Sequence, residues 1–126
     1  MHRSRLAGFI IDCQTEDLHG AAEFWAAALG LPARELPGQE GETYVELDDP
    51  TGRMHVEVQK VGHPSRVHLD IESDDIEAEV RRLEAIGARR VKQVRSWWVM
   101  EAPTGQRFCV VRKSSRDFDE IANQWT

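Results

Sequence analysis

Only two of the 126 residues are cysteines, Cys13 and Cys109, and their spacing frames neither a disulfide scaffold nor a zinc finger. A reducing, cytoplasmic setting is the expectation that follows. No apolar run approaches the ~20 residues of a membrane-spanning helix. The first residues also lack the pattern of a signal peptide. Basic residues are in deficit: 16 Lys and Arg face 22 Asp and Glu, a net charge of −6. That balance argues against nucleic acid as a partner, because phosphate neutralisation dominates such affinity. The hydrophobic share of 40% and charged share of 30% fit an ordinary globular chain and not a disordered one. At roughly 100–200 residues per domain, the length allows about one domain with a real core.

Within that frame, apolar periodicity marks the elements. Residues 6–13 (LAGFIIDC) form a short apolar run that reads as a buried strand. Leu18, Ala22, Trp25 and Leu29 then fall at helical spacing, with Thr15 or Asp17 as the cap and Gly30 as the stop. Residues 32–41 turn to Pro, Gly and Glu and read as a loop, with a short strand near Leu36. Residues 43–48 and 54–61 alternate in strand fashion around the turn Asp49-Pro50-Thr51-Gly52. The second of these strands puts His55, Glu57 and Gln59 on one face.

The pattern then repeats. Residues 66–72 read as a strand, with His68, Asp70 and Glu72 on one face and Leu69 and Ile71 on the other, toward the helix. Residues 74–86 read as a helix, capped by Asp74 with Glu77 and ended by Gly87. Strands follow at 89–94, 96–101 and 107–112, with the turn Ala102-Pro103-Thr104-Gly105 before the last. Each half therefore reads β-α-β-β-β. One copy exposes an apolar sheet face and does not close a core alone. Module one spans about 5–61 and module two about 66–112. Phe118, Ile121, Ala122 and Trp125 stand at i, i+3, i+4 and i+7, which predicts an amphipathic helix over about 115–125. Its apolar stripe suits either its own domain or a second subunit.

Four stretches carry a family likeness: Glu23-Phe24-Trp25 running to Ala28-Leu29-Gly30, Val67-His68-Leu69-Asp70-Ile71, Leu83 to Ala88, and Pro103 to Cys109. In this order, and with the internal repeat, they resemble the vicinal oxygen chelate superfamily of glyoxalases, bleomycin-resistance proteins and extradiol dioxygenases. The small glyoxalase-like domains are the nearest look. The resemblance implies an α+β fold: two β-α-β-β-β modules forming a half-open curved sheet around a cavity, helices on the outer face. It also implies a homodimer and a small-molecule ligand.

Metal-bearing members of that superfamily place ligands on the first and last strand of each module. By that correspondence this chain offers Gly8, which has no donor, then Glu57 or Gln59, then His68, and then Cys109 where a glutamate is usual. The reading that follows is a degenerate site with no metal or other cofactor. Should a metal bind, the set is His68, Glu57 and Cys109, and its soft sulfur puts zinc first. The cavity wall then carries His55, Gln59, Asp70, Trp97, Trp98 and Cys109 as ligand-binding residues. Trp97 and Trp98 point to opposite faces, so one of them packs toward the helices. Three functions are compatible with these residues. The first is a small-molecule-binding domain without assured catalysis. The second is a lyase or isomerase acting next to a carbonyl, with His68 as metal ligand or base and Glu57 as base. The third is a drug-sequestering resistance protein.

Overall fold

The computed structural model describes residues 1–126. The α+β class read from the sequence is the class found. Nine strands and four helices run in the order β1 His2–Gln14, α1 Leu18–Leu29, β2 Ala33–Glu35, α2 Glu40–Thr43, β3 Tyr44–Leu47, β4 His55–Val61, β5 Arg66–Ser73, α3 Ile76–Ala85, β6 Arg89–Val94, β7 Trp97–Glu101, β8 Arg107–Arg112, α4 Phe118–Ile121 and β9 Asn123–Trp125. The chain forms two compact units, Phe9–Val67 and Met1–Gly8 with His68–Thr126. No helix is long and apolar enough to cross a membrane.

In the unit Phe9–Val67 the strands run in the order β2-β3-β4-β1. β3 and β4 are antiparallel, pairing Val45 with Val58, Glu46 with Glu57 and Leu47 with Val56. Alternation sends Val45, Leu47, Val56 and Val58 to one face, where Ile11 and Cys13 join them and Leu18 and Ala22 of α1 close the core. Fully burying one such Val or Leu is worth about 1.5–3 kcal/mol. Of the two candidate caps, Asp17 is the one used: its Oδ1 accepts from the Gly20 amide at 3.0 Å. Gly30 ends α1 at φ 70°, a left-handed value that favours glycine, and its N–H closes on Ala26 O at 2.9 Å. The short strand expected near Leu36 is β2, just before it. Cys13 is a core residue, and burial, with Asp12 adding to it, pushes its thiol above the ordinary range.

In the other unit the order is β1-β5-β8-β7-β6, with β9 on β1. β5 and β8 are parallel, pairing Leu69 with Phe108 and Asp70 with Cys109. Val80 and Leu83 of α3 meet Met100 and Val110, with Ile71, Trp98 and Phe108 packed around them. Leu69 shares the face of Ile71 by alternation but is 51% exposed. The cap of α3 differs from the Asp74–Glu77 pair read in the sequence. Asp75 caps the helix, accepting from the Ala78 amide at 3.0 Å, while Asp74 Oδ1 takes the Arg3 amide at 2.8 Å. Gly87 has φ 116°, and a Cβ there would stand 3.0 Å from Pro103 Cγ, so the turn after α3 needs its missing side chain.

The tail corrects a further expectation. The helix read over 115–125 is a single turn, Phe118–Ile121, followed by β9. Asp117 enters the turn at φ 62°, and Ala122 leaves it with extended backbone. Pairing with β1, His2 to Trp125 and Ser4 to Asn123, satisfies the last backbone groups better than a helix this short could. Phe118 is buried as its spacing suggested.

Candidate functional site

The side chains turned toward α3 define which ones face away from it. On β5 it is Ile71 that packs toward α3, so His68, Asp70 and Glu72 take the opposite face. On β8 the inward residues are Phe108 and Val110, leaving Arg107, Cys109 and Val111 on that opposite face. On β7 they are Trp98 and Met100, which leaves Trp97, Val99 and Glu101. The two tryptophans therefore separate as alternation requires. Trp98 lies in the core with the Arg90 guanidinium 4.9 Å from its ring centre, and Trp97 is the one on the His68 face.

The register β5-β8-β7 then aligns Asp70, Cys109 and Val99 side by side, and Arg107 beside Glu101. Cross-strand neighbours are about 5 Å apart, and same-face neighbours along a strand about 7 Å. One ligand-type atom each from His68, Asp70 and Cys109 lies within 4.8 Å of the other two. His68 Nε2 stands 3.7 Å from Asp70 Oδ1. Asp70 is 5% exposed, while His68 and Cys109 are half-buried, so the cluster has a deep carboxylate and a more open imidazole and thiol. Withdrawing a carboxylate from water costs several kcal/mol, which a cation beside it offsets. An imidazole nitrogen, a carboxylate oxygen and a thiol sulfur are all zinc donors.

The cluster is bounded on both sides. Next along β5, Glu72 accepts from the Ser114 amide at 2.7 Å, the Ser115 amide at 3.0 Å and Arg5 Nη1 at 2.8 Å, and also from the Ser115 hydroxyl. Burial pushes the Glu72 carboxyl up, but those hydrogen bonds outweigh it and hold the group below the usual carboxylate range. On the other side, Arg107 Nε donates to Glu101 Oε1 at 2.8 Å and Arg89 Nε donates to Glu101 Oε2 at 2.9 Å. The Arg107 bond, then the Arg89 bond, hold Glu101 below the usual range.

The unit Phe9–Val67 carries the other expected residues. His55 Nε2 and Glu57 Oε1 are 3.1 Å apart on β4, and Gln59 Nε2 donates to Tyr44 Oη at 3.1 Å. His55 and Glu57 are thus paired within one strand. Glu57, expected as the third donor with His68 and Cys109, is engaged with His55, and the third member of the cluster is Asp70. The same unit has an open hollow of about 740 Å³ lined by Gln14, Glu16, Glu42 and Lys60 among others; no expected site residue lines it. The two-residue spacing of a strand put Asp70 on the His68 face, as a cavity-wall residue and not as a metal donor. Arg107 carried no such signal, because only the β7-β8 register shows what it faces.

The sequence matches the family described as "Glyoxalase-like domain" over residues 8–111. No curated protein sequence matches it. Among solved structures, hypothetical protein BH1468 from Bacillus halodurans C-125 superposes with a TM-score of 0.64 at 12% identity, covering 90% of this chain and 98% of that one. The methylmalonyl-CoA epimerase of Mycobacterium tuberculosis gives 0.58 at 16% identity, covering 86% and 87%. A mutant 4-hydroxymandelate synthase from Streptomyces coelicolor gives 0.59 at 16% identity, covering 92% of this chain and 51% of that one. At these identities the likeness is one of fold, the vicinal oxygen chelate fold.

Proposed function

The chain belongs to the glyoxalase-like domain family, and from that membership we propose that it binds a small oxygen-bearing molecule at a divalent metal held by His68, Asp70 and Cys109. The observation that carries this is the gathering of three donors of three chemical types within 4.8 Å on one sheet face. Ligand bonds of about 2.0–2.2 Å at a tetrahedral angle place nitrogen and oxygen donors about 3.3–3.6 Å apart. The 3.7 Å between His68 Nε2 and Asp70 Oδ1 is about 0.1 Å above that range. The sulfur of Cys109 favours zinc over magnesium or manganese. Three protein donors leave a fourth position for an exogenous ligand, the arrangement of a working site and not of a structural one.

When bound, the metal would supply a Lewis acid for a carbonyl or hydroxyl oxygen. The chain's own contribution is to fix the three donors on the paired strands β5 and β8, bury the carboxylate, and keep Glu72 out of competition by saturating it from the tail. This reading moves from the metal-free binder suggested by the changed donor positions to the metal-bearing alternative, with Asp70 in the place first given to Glu57.

Metal analysis is the test. Protein stripped with chelator and returned to zinc should retain roughly one ion per chain after desalting. His68→Ala and Cys109→Ala should each lose most of it, with circular dichroism unchanged. A wild-type protein that keeps no zinc, or variants that keep as much as wild type, would end this reading.

A further inference from the structure

Beside the cluster stands a group of charges that the metal reading leaves unused. Arg107 is two residues before Cys109 on β8, so the two share a face, and the parallel register sets it level with His68 on β5. Its partner across the sheet is Glu101, and Glu101 also takes Arg89. Two guanidinium groups thus share one carboxylate, and the trio carries a net positive charge. Glu101 engages Arg107 only through Nε. The two terminal nitrogens of Arg107, its forked donor edge, bond nothing else in the chain. The side chain is 37% exposed and belongs to the face of the cluster. Holding a guanidinium by Nε fixes its plane and leaves Nη1 and Nη2 free for a bidentate acceptor.

Building on the metal reading, we propose that Arg107 receives the anionic end of the ligand, and that the ligand is a small molecule with a carboxylate and a second oxygen for the metal. The donor set fits this charge. A divalent ion with one carboxylate and one thiolate is neutral, so it offers an anion no net attraction of its own. The positive trio on the adjoining row supplies it. Arg89, held through its own Nε on the outer oxygen of Glu101, fixes that carboxylate from the far side and so keeps Arg107 oriented.

The probes are glycolate and glycolamide, which share size and hydroxyl and differ in charge at neutral pH. Cobalt(II) replaces zinc, so that metal uptake and ligand binding are both read from the absorption of the thiolate-bound ion. Wild type should bind glycolate about tenfold tighter than glycolamide, since a bidentate Arg–carboxylate pair is roughly twice as strong as a neutral contact. Arg107→Met should bring the two to within about twofold while taking up cobalt normally, and Arg107→Lys should restore part of the preference as a point charge without the fork. An unchanged preference in Arg107→Met, or no preference in a wild type that holds cobalt, overturns the role of Arg107 and leaves the metal centre standing. A wild type that takes up no cobalt overturns both.

Discussion

Glu72 and Asp70 are two residues apart on one strand, both buried, and they have different uses. Glu72 is saturated by donors from Arg5, Ser114 and Ser115; Asp70 lies with an imidazole and a thiol. Glu79, fully buried on α3, resembles Glu72: Arg82 grips both its oxygens at 2.8 Å and His2 meets one at 2.7 Å. For Glu79 too, burial pushes the carboxyl up, and the bonds from Arg82, His2 and Ser4 more than reverse it. Both groups are therefore depressed from an ordinary 4.5. Their stabilisation is fully present above that value and is lost as pH falls through the lower native values. Urea unfolding at stepped pH should show stability flat near neutrality and falling below pH 4.5. Glu72→Gln should cost about 3 kcal/mol at pH 7 by leaving Arg5 without its anion, and should flatten part of the acid limb. A two-residue period was enough to put His68, Asp70 and Glu72 together in the sequence. It could not tell ligand from strut, because the donors that settle the matter for Glu72 are supplied by residues 5, 114 and 115.

At the scale of elements, the strands and the two main helices were legible because their apolar periods are strong and their stops are glycines. The tail was not. Its i, i+3, i+4, i+7 spacing is a helical signature, yet Asp117 and Ala122 confine the helix to one turn, and the rest of the segment finds backbone partners in His2, Arg3 and Ser4. The strand that receives it was itself read as starting at residue 6, for lack of a local partner in the sequence. Trp125 secures the arrangement. Its Nε1 donates to Ser4 Oγ at 2.8 Å, and the Arg82 guanidinium lies 3.8 Å from its ring centre. The same Arg82 holds Glu79, so the ring, the guanidinium and the buried carboxylate form one stack. Trp125→Ala should destabilise the chain by about 2 kcal/mol, from the lost hydrogen bond and cation–π contact. Hydrogen exchange should show the amides of residues 2–4 losing protection before those of β7 and β8.

For the whole molecule, the repeat read as 5–61 and 66–112 is present in the order of elements, but the compact units divide differently, since residues 1–8 belong with 68–126. A local pattern shows what each segment forms and not which distant segment it joins. The three donors all belong to the unit of residues 1–8 and 68–126. Zinc at about 100 times its Kd should add about 2.7 kcal/mol and raise the melting temperature by about 10 °C. His68→Ala should show no such rise in a thermal-shift assay, and in wild type the gain in amide protection should concentrate in peptides from β5 and β8. A rise of equal size in the variant would mean that zinc stabilises the protein from somewhere else.

Residue 2 pairs with residue 125, so the first strand opens where the last one closes. A label attached beside residue 2 therefore stands next to residue 125. A bulky addition at residue 2 or 125 would press on the same indole and guanidinium, which makes a loop elsewhere the safer place for a reporter.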